Sequence, residues 1–110
     1  MDKNLSDVLH GKAGNYMLPF YWQHGDHTES IPAEIERIWQ SGCRAFCVES
    51  RPHRDFAGEG WWRDMDVILA EAKKRGMGVW ILDDDHFPTG HANGAVKTHP
   101  ELRPWQIGEE

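Results

Sequence analysis

Four carboxylates stand where parallel α/β sheets build reaction sites, at the carboxyl ends of apolar runs. Glu49 closes Ala45-Phe-Cys-Val-Glu49, and Asp83, Asp84 and Asp85 follow Val79-Trp-Ile-Leu82. Carboxyl groups brought together at strand tips can divide acid and base roles. Three adjacent acids repel one another, which a fold tolerates most readily beside a ligand, a cation or a water-filled cleft. His86 and the turn Pro88-Thr-Gly90 come next. The plainer alternative for the same residues is a solvated acidic loop.

Other side chains could complete such a site. Trp22 and His24 end an earlier apolar run and Arg51 follows Glu49. A tryptophan there offers a flat face for stacking, while Arg51 and His24 suit hydroxyls or a carboxylate. Alternatively, Trp22 is core and Arg51 pairs with Glu49. His24, Asp26, His27, Asp83, Asp85, His86 and His91 also suggest Zn²⁺ or Mn²⁺, as in a metal-dependent hydrolase of barrel type. Against that, His24-Gly-Asp-His27 lacks the His-x-His pair expected on such a first strand, so no metal or other cofactor is expected.

Composition narrows the classes. The chain has 110 residues, 12 Lys+Arg against 18 Asp+Glu, and a net charge of −6, which argues against a nucleic-acid partner. Six Trp among them suit either a core or the neutral face of a sugar. No stretch approaches the ~18 apolar residues of a membrane span. The polar segment 1–14 does not read as a signal peptide. Cys43 and Cys47 on one strand would lie about 13 Å apart, beyond disulfide reach. A cytoplasmic location is expected.

The elements that must position the candidate residues follow from periodicity. Residues 1–15 read as a frayed or loosely docked lead-in, and 16–110 as the structured domain. Tyr16 to Gln23 reads as a buried strand, with Pro19 forcing an edge, a bulge or a start near Phe20. Ile31, Ile35, Ile38 and Trp39 predict a helix over 31–41, stopped by Gly42. A strand from Ala45 to Glu49 points Ala45, Cys47 and Glu49 one way and Phe46 and Val48 the other. Trp61, Met65, Ile68 and Ala72, widened by Trp62 and Leu69, predict a helix over 61–75. Lys73-Lys-Arg75 complements its end and Gly76 stops it. Met77 to Asp83 is the third strand, and 91–110 reads as loop with at most a short helix. Of the remaining tryptophans, Trp39, Trp61, Trp62 and Trp80 are expected in the core.

This order makes two βαβ units and a parallel sheet. Helices crossing over in one hand cover one face and leave Ala45, Cys47 and half the apolar residues of the outer strands facing water. Further chain, an oligomer or a closed barrel would cover them. A complete (β/α)8 barrel needs about 250 residues, so the chain could supply at most its first three strands. A small doubly wound α/β module, in which one connection switches faces, is the alternative.

Several pieces, in order, resemble the start of the catalytic barrel of bacterial glycoside hydrolases, including α-L-rhamnosidase-like enzymes. They are Pro19-Phe-Tyr-Trp22, Glu34 through Gly42, Ala45-Phe-Cys-Val-Glu-Ser-Arg51, Trp61-Trp62 and Ala72-Lys-Lys-Arg-Gly-Met77. Last comes Val79-Trp-Ile-Leu-Asp83 with Phe87-Pro-Thr-Gly90 and His91-Ala-Asn-Gly94. The resemblance spans roughly residues 16–105 and departs from the family's pattern at Asp84 for Glu, Thr89 for Ser and Asn93 for Gly. It implies a partial (β/α)-barrel-like glycoside hydrolase domain that binds or hydrolyses an O-glycosidic carbohydrate at the strand tips. Glu49 and Asp85 are then the catalytic candidates, and Trp22, His24, Arg51, Asp83, Asp84 and His86 the substrate-binding ones. Glycoside hydrolysis needs two carboxyls about 5–5.5 Å apart for retention or about 6.5–9.5 Å for inversion. A non-catalytic α/β assembly module, its open face covered by another copy, is the reading from a different class.

Overall fold

The computed structural model describes residues 2–85 and 94–102. Its centre is a three-stranded parallel sheet in the order β1-β2-β3, with β1 at Phe20–Gln23, β2 at Ala45–Ser50 and β3 at Gly78–Ile81. The connections are α2, Ile31–Gln40, and α3, Glu59–Arg75. Before the sheet lies α1, Lys3–Leu9, and after it α4, Ala95–Thr98, and a 3₁₀ turn at Pro100–Leu102.

The strands start and stop where backbone chemistry dictates. Pro19 cannot donate to a ladder, but its carbonyl accepts from Cys47 N–H at 2.8 Å, and β1 begins at the next residue. The ladder then fixes two rows on opposite sides. Phe20, Cys47 and Trp80 lie in one register row, and Tyr21, Val48 and Ile81 in the next. Alternation turns Tyr21, Phe46 and Val48 toward the helices, where they meet Ile31 and Ile35 of α2 and Trp61, Met65, Ile68 and Ala72 of α3. Both helices therefore cover the same face, and neither connection switches sides. The Tyr21 and Phe46 rings pack edge to face at 5.7 Å.

Helix ends follow equally local rules. Gly42 (φ 95°) and Gly76 (φ 66°) reverse the chain after α2 and α3 in the left-handed region. Gly58 begins α3 without a capping side chain. The role passes to Asp55, whose Oδ2 accepts from Gly60 N–H at 2.7 Å. At the far end Arg75 bridges Glu36 of α2 (2.6 Å) and Glu71 of α3 (2.8 Å), so it ties the helices together as well as meeting the helix dipole.

Three expectations need correction. The lead-in contains a helix, α1, whose first turn is held by Asp2 Oδ1 accepting from Asn4 N–H at 2.7 Å, although none of its residues is buried. Trp62 and Leu69 do not widen the buried stripe of α3, because both are exposed. Trp80 is not core either. It lies on the face away from the helices, 64% exposed, beside Phe20 at 62%. Trp39 is half-buried beneath the Arg44 guanidinium at 4.2 Å, and Trp61 alone of the four is buried.

Candidate functional site at the strand tips

β1 and β2 end side by side, and alternation splits their last residues between two sides. On the open face, Trp22 stands opposite Glu49. Its indole Nε1–H donates to Glu49 Oε2 at 2.9 Å, and Arg51 donates to Glu49 Oε1 at 2.9 Å. The guanidinium also lies over the Trp22 ring, 5.2 Å from its centroid. Each oxygen of the buried Glu49 thus has a donor, while Trp22 stays 49% exposed. Of the plainer alternative for these two residues one half holds, since Arg51 pairs with Glu49, but Trp22 is not core and presents its ring to solvent.

Asp84 is buried and lies close enough to Cys47, the neighbour of Glu49 on the open face, for its charge to act there. Burial pushes the Cys47 thiol up, and the Glu49 and Asp84 charges push it further.

The other side of the tips is a buried polar network. Ser50 Oγ donates to Asp85 Oδ1, and His53 N–H is shared between Ser50 Oγ and Asp85 Oδ1, the latter at 3.1 Å. Asp55 N–H donates to His53 Nδ1 at 3.0 Å, which leaves the ring proton on Nε2. That proton is donated to Asp64 Oδ2 at 2.7 Å. Asp64 Oδ1 accepts from Thr28 Oγ1 at 2.6 Å. The chain of bonds joins the loop after β1, the start of α3, the loop after β2 and the segment leaving β3. Gln23 is buried on this side of β1. Its Nε2 donates to Trp22 O at 3.1 Å, while its Oε1 has no hydrogen-bond partner among the described residues.

The sequence candidates therefore separate. Trp22, Glu49 and Arg51 share the open face, and the charge of the buried Asp84 reaches Cys47 on it. Glu49 and Asp85 share no hydrogen-bond partner: Glu49 is held by Trp22 and Arg51, and Asp85 by Ser50 and His53. Asp83 and His24 are exposed, and no side-chain bond joins His24 to the Glu49 group. His86 and His91 lie outside the described residues. Of the metal candidates, His27 lies 2.9 Å from Asp26 and 3.6 Å from Glu34. Among the described residues no three His, Cys, Asp or Glu side chains are arranged to hold an ion. Nor is any helix among them long and apolar enough to cross a membrane.

Sequence reasoning missed His53, Asp64, Ser50 and Thr28. One signal was available. Asp64 shares the period of the α3 stripe formed by Trp61, Met65, Ile68 and Ala72, and an acid in a buried stripe must find a partner. Comparison of the chain with protein-family models, curated proteins and solved structures gives no match.

Proposed function

We propose that this chain forms the first three strands of a (β/α)8-type barrel in a glycoside hydrolase-like protein, with carbohydrate bound at the carboxyl ends of those strands. Consecutive parallel strands with both helices outside are the opening of such a barrel, and the face carrying Trp22 and Glu49 is then its interior. The observation that carries the reading is the Trp22–Glu49–Arg51 assembly. A half-exposed indole offers its ring to the C–H face of a sugar. Beside it stands a carboxylate already oriented by two donors, able to accept from sugar hydroxyls with little rearrangement. The buried Asp84 adds a second negative charge near Cys47 on that face.

In this reading Trp22 stacks on the ring, Glu49 holds a hydroxyl at the ring's edge, and Arg51 keeps Glu49 in place, with the buried Asp84 adding charge behind it. Asp85 stands behind them as a tether. The test is titration of the protein with a panel of mono- and oligosaccharides, followed by tryptophan emission and by the indole N–H resonance of Trp22. Saturable binding that weakens at least about tenfold in Trp22→Ala and Glu49→Gln, with Trp62→Ala unaffected, supports the reading. Absence of binding at millimolar sugar, or unchanged affinity in both variants, overturns it.

A further inference from the structure

The charge at the strand tips is unbalanced. Leu82 N–H donates to Val48 O at 3.0 Å, which brings the exit of β3 level with Glu49 and Ser50. Asp85 reaches the same end of β2, because its Oδ1 accepts from Ser50 Oγ. Neighbouring strands lie about 4.8 Å apart, so Trp22, Glu49 and the run from Asp83 to Asp85 fall within about 10 Å of one another. Those acids take different sides of the sheet, but a charge acts over about that distance at ordinary ionic strength.

Positive charge is scarce there. Arg51 donates to Glu49 at 2.9 Å. Asp85 is met by neutral donors, the Ser50 hydroxyl and the His53 backbone N–H. Arg54, in the loop after β2, lies 4.0 Å from Asp26 and is offset by it. Beyond Asp85 the sequence has no Lys or Arg before Lys97. Among the described residues, four carboxylates at the exits of β2 and β3 therefore face one guanidinium. Cys47, on the open face beside Glu49, feels the result: after burial, the charges of Glu49 and Asp84 push its thiol up.

We infer that the Trp22–Glu49–Arg51 site selects amino sugars, whose ammonium is drawn to the anionic tips, and turns away uronic acids; this rests on the carbohydrate reading of that site. A carboxylate offers about four acceptor positions, so Glu49 can accept from an ammonium while Trp22 and Arg51 stay bonded to it. A sugar carboxylate has no such place. Capture by Arg51 would take a donor from the buried Glu49, and the approach is opposed by like charge. Coulomb's law in water at about 10 Å gives about a factor of two for each charge pair. Three net charges then give about five- to tenfold per unit of charge on the sugar at low salt.

Titration with methyl glycosides of glucose, glucosamine and glucuronic acid, and of the galactose series, tests the inference. The Trp22 indole N–H resonance is followed at about pH 6, where an amine of α-amino strength keeps its proton and the uronate stays ionised. In about 0.01 M salt the amino sugar should bind about five- to tenfold more tightly than its neutral parent, and the uronate should bind more weakly by a similar factor. At about 1 M salt, where screening acts within about 3 Å, the three affinities should converge to within about twofold. Asp83→Asn, at an exposed position, should narrow the ratio of amino-sugar to uronate affinity by about fourfold. Asp66→Asn, the same charge change on the exposed side of α3, should leave that ratio as it was. An amino sugar no tighter than its neutral parent, a uronate that binds equally well, or a ratio unmoved by salt overturns the inference and leaves the carbohydrate reading standing. Failure of every glycoside to bind overturns both.

Discussion

The His53–Asp64 pair allows the most demanding prediction. Its side chains are 1% and 2% exposed, and His53 Nε2–H, at 2.7 Å, is the hydrogen-bond donor to Asp64 Oδ2. In His53→Ala, Asp64 keeps the Thr28 hydroxyl on Oδ1 but loses its partner on Oδ2. Leaving a buried carboxylate oxygen without its partner costs about 1–3 kcal/mol. Two further losses come with it: the edge contact of the imidazole with Trp61, with ring centroids 5.3 Å apart, and the acceptor for Asp55 N–H. Each of these is worth about 0.5–1.5 kcal/mol. Small domains have only about 5–15 kcal/mol in total, so His53→Ala should remove a large part of the stability.

Asp64→Ala strands the imidazole N–H and the Thr28 hydroxyl instead. The double variant strands neither imidazole nor carboxylate, so its cost should fall short of the summed single costs by about 2 kcal/mol. Urea unfolding followed by tryptophan emission measures all corners of the cycle, since Trp61 reports directly on this site. Thr28→Val, which deletes one hydroxyl and keeps the shape, should cost about 1–2 kcal/mol and shows that the protein tolerates lesser damage here. A cycle additive within about 0.5 kcal/mol, or a His53→Ala cost below about 1 kcal/mol, refutes the reasoning.

Asp55→Ala removes the acceptor for Gly60 N–H and should destabilise by about 1 kcal/mol in the same urea assay. Gly76→Ala forces a Cβ into the left-handed region where nothing crowds it, so its cost should be the conformational term alone, about 1–2 kcal/mol. The Cys47 thiol, pushed up by burial and then by Glu49 and Asp84, should react with a disulfide reagent at least about tenfold more slowly than the half-buried Cys43. The folded state holds the Cys47 proton more tightly than the unfolded one. Stability should therefore fall as pH rises past about 8.5, the ordinary thiol value, toward the raised one, and Cys47→Ala should flatten that slope.

The elements that position the site were legible because each rests on short-range rules. Gly42 and Gly76 stop helices that the Ile31/Ile35 and Trp61/Met65/Ile68/Ala72 stripes define. Pro19 delays β1 to Phe20, as its missing N–H requires. The alternation of Ala45 to Glu49 gave the faces of β2 and so the side on which Glu49 stands. What escaped depends on distant chain. Nothing local reveals that Asp64 waits for a histidine eleven residues earlier and a threonine thirty-six residues earlier. The aromatic count misled for a related reason. Trp80 and Phe20 have the composition of core, but the sheet has a second side that the described residues do not cover. The helix α1 was missed although Leu5, Val8 and Leu9 recur at i, i+3 and i+4, because seven residues are too short a run for periodicity to decide and its cap rests on Asp2 alone.

The run Asp83-Asp84-Asp85 is tolerated because the fold distributes its charges instead of gathering them. Asp83 stays in solvent, Asp84 is buried with its charge acting on Cys47, and Asp85 turns to Ser50 and His53. Consecutive residues leaving a strand point to alternate sides, so a single acidic run can serve both. The back of the tips is then fixed by the bonds from Asp85 through His53 and Asp64 to Thr28. That leaves Glu49 supported on a framework joined across all three strand exits. Rigid support behind a small set of forward-facing groups is what a binding site requires, because a carboxylate that must be ordered on contact loses part of its interaction energy to that ordering. By this argument Asp85→Asn should perturb the front of the site without touching it. The Trp22 indole N–H resonance should shift as Glu49 loosens, while Asp83→Asn, equal in charge change but exposed, should leave that resonance where it was.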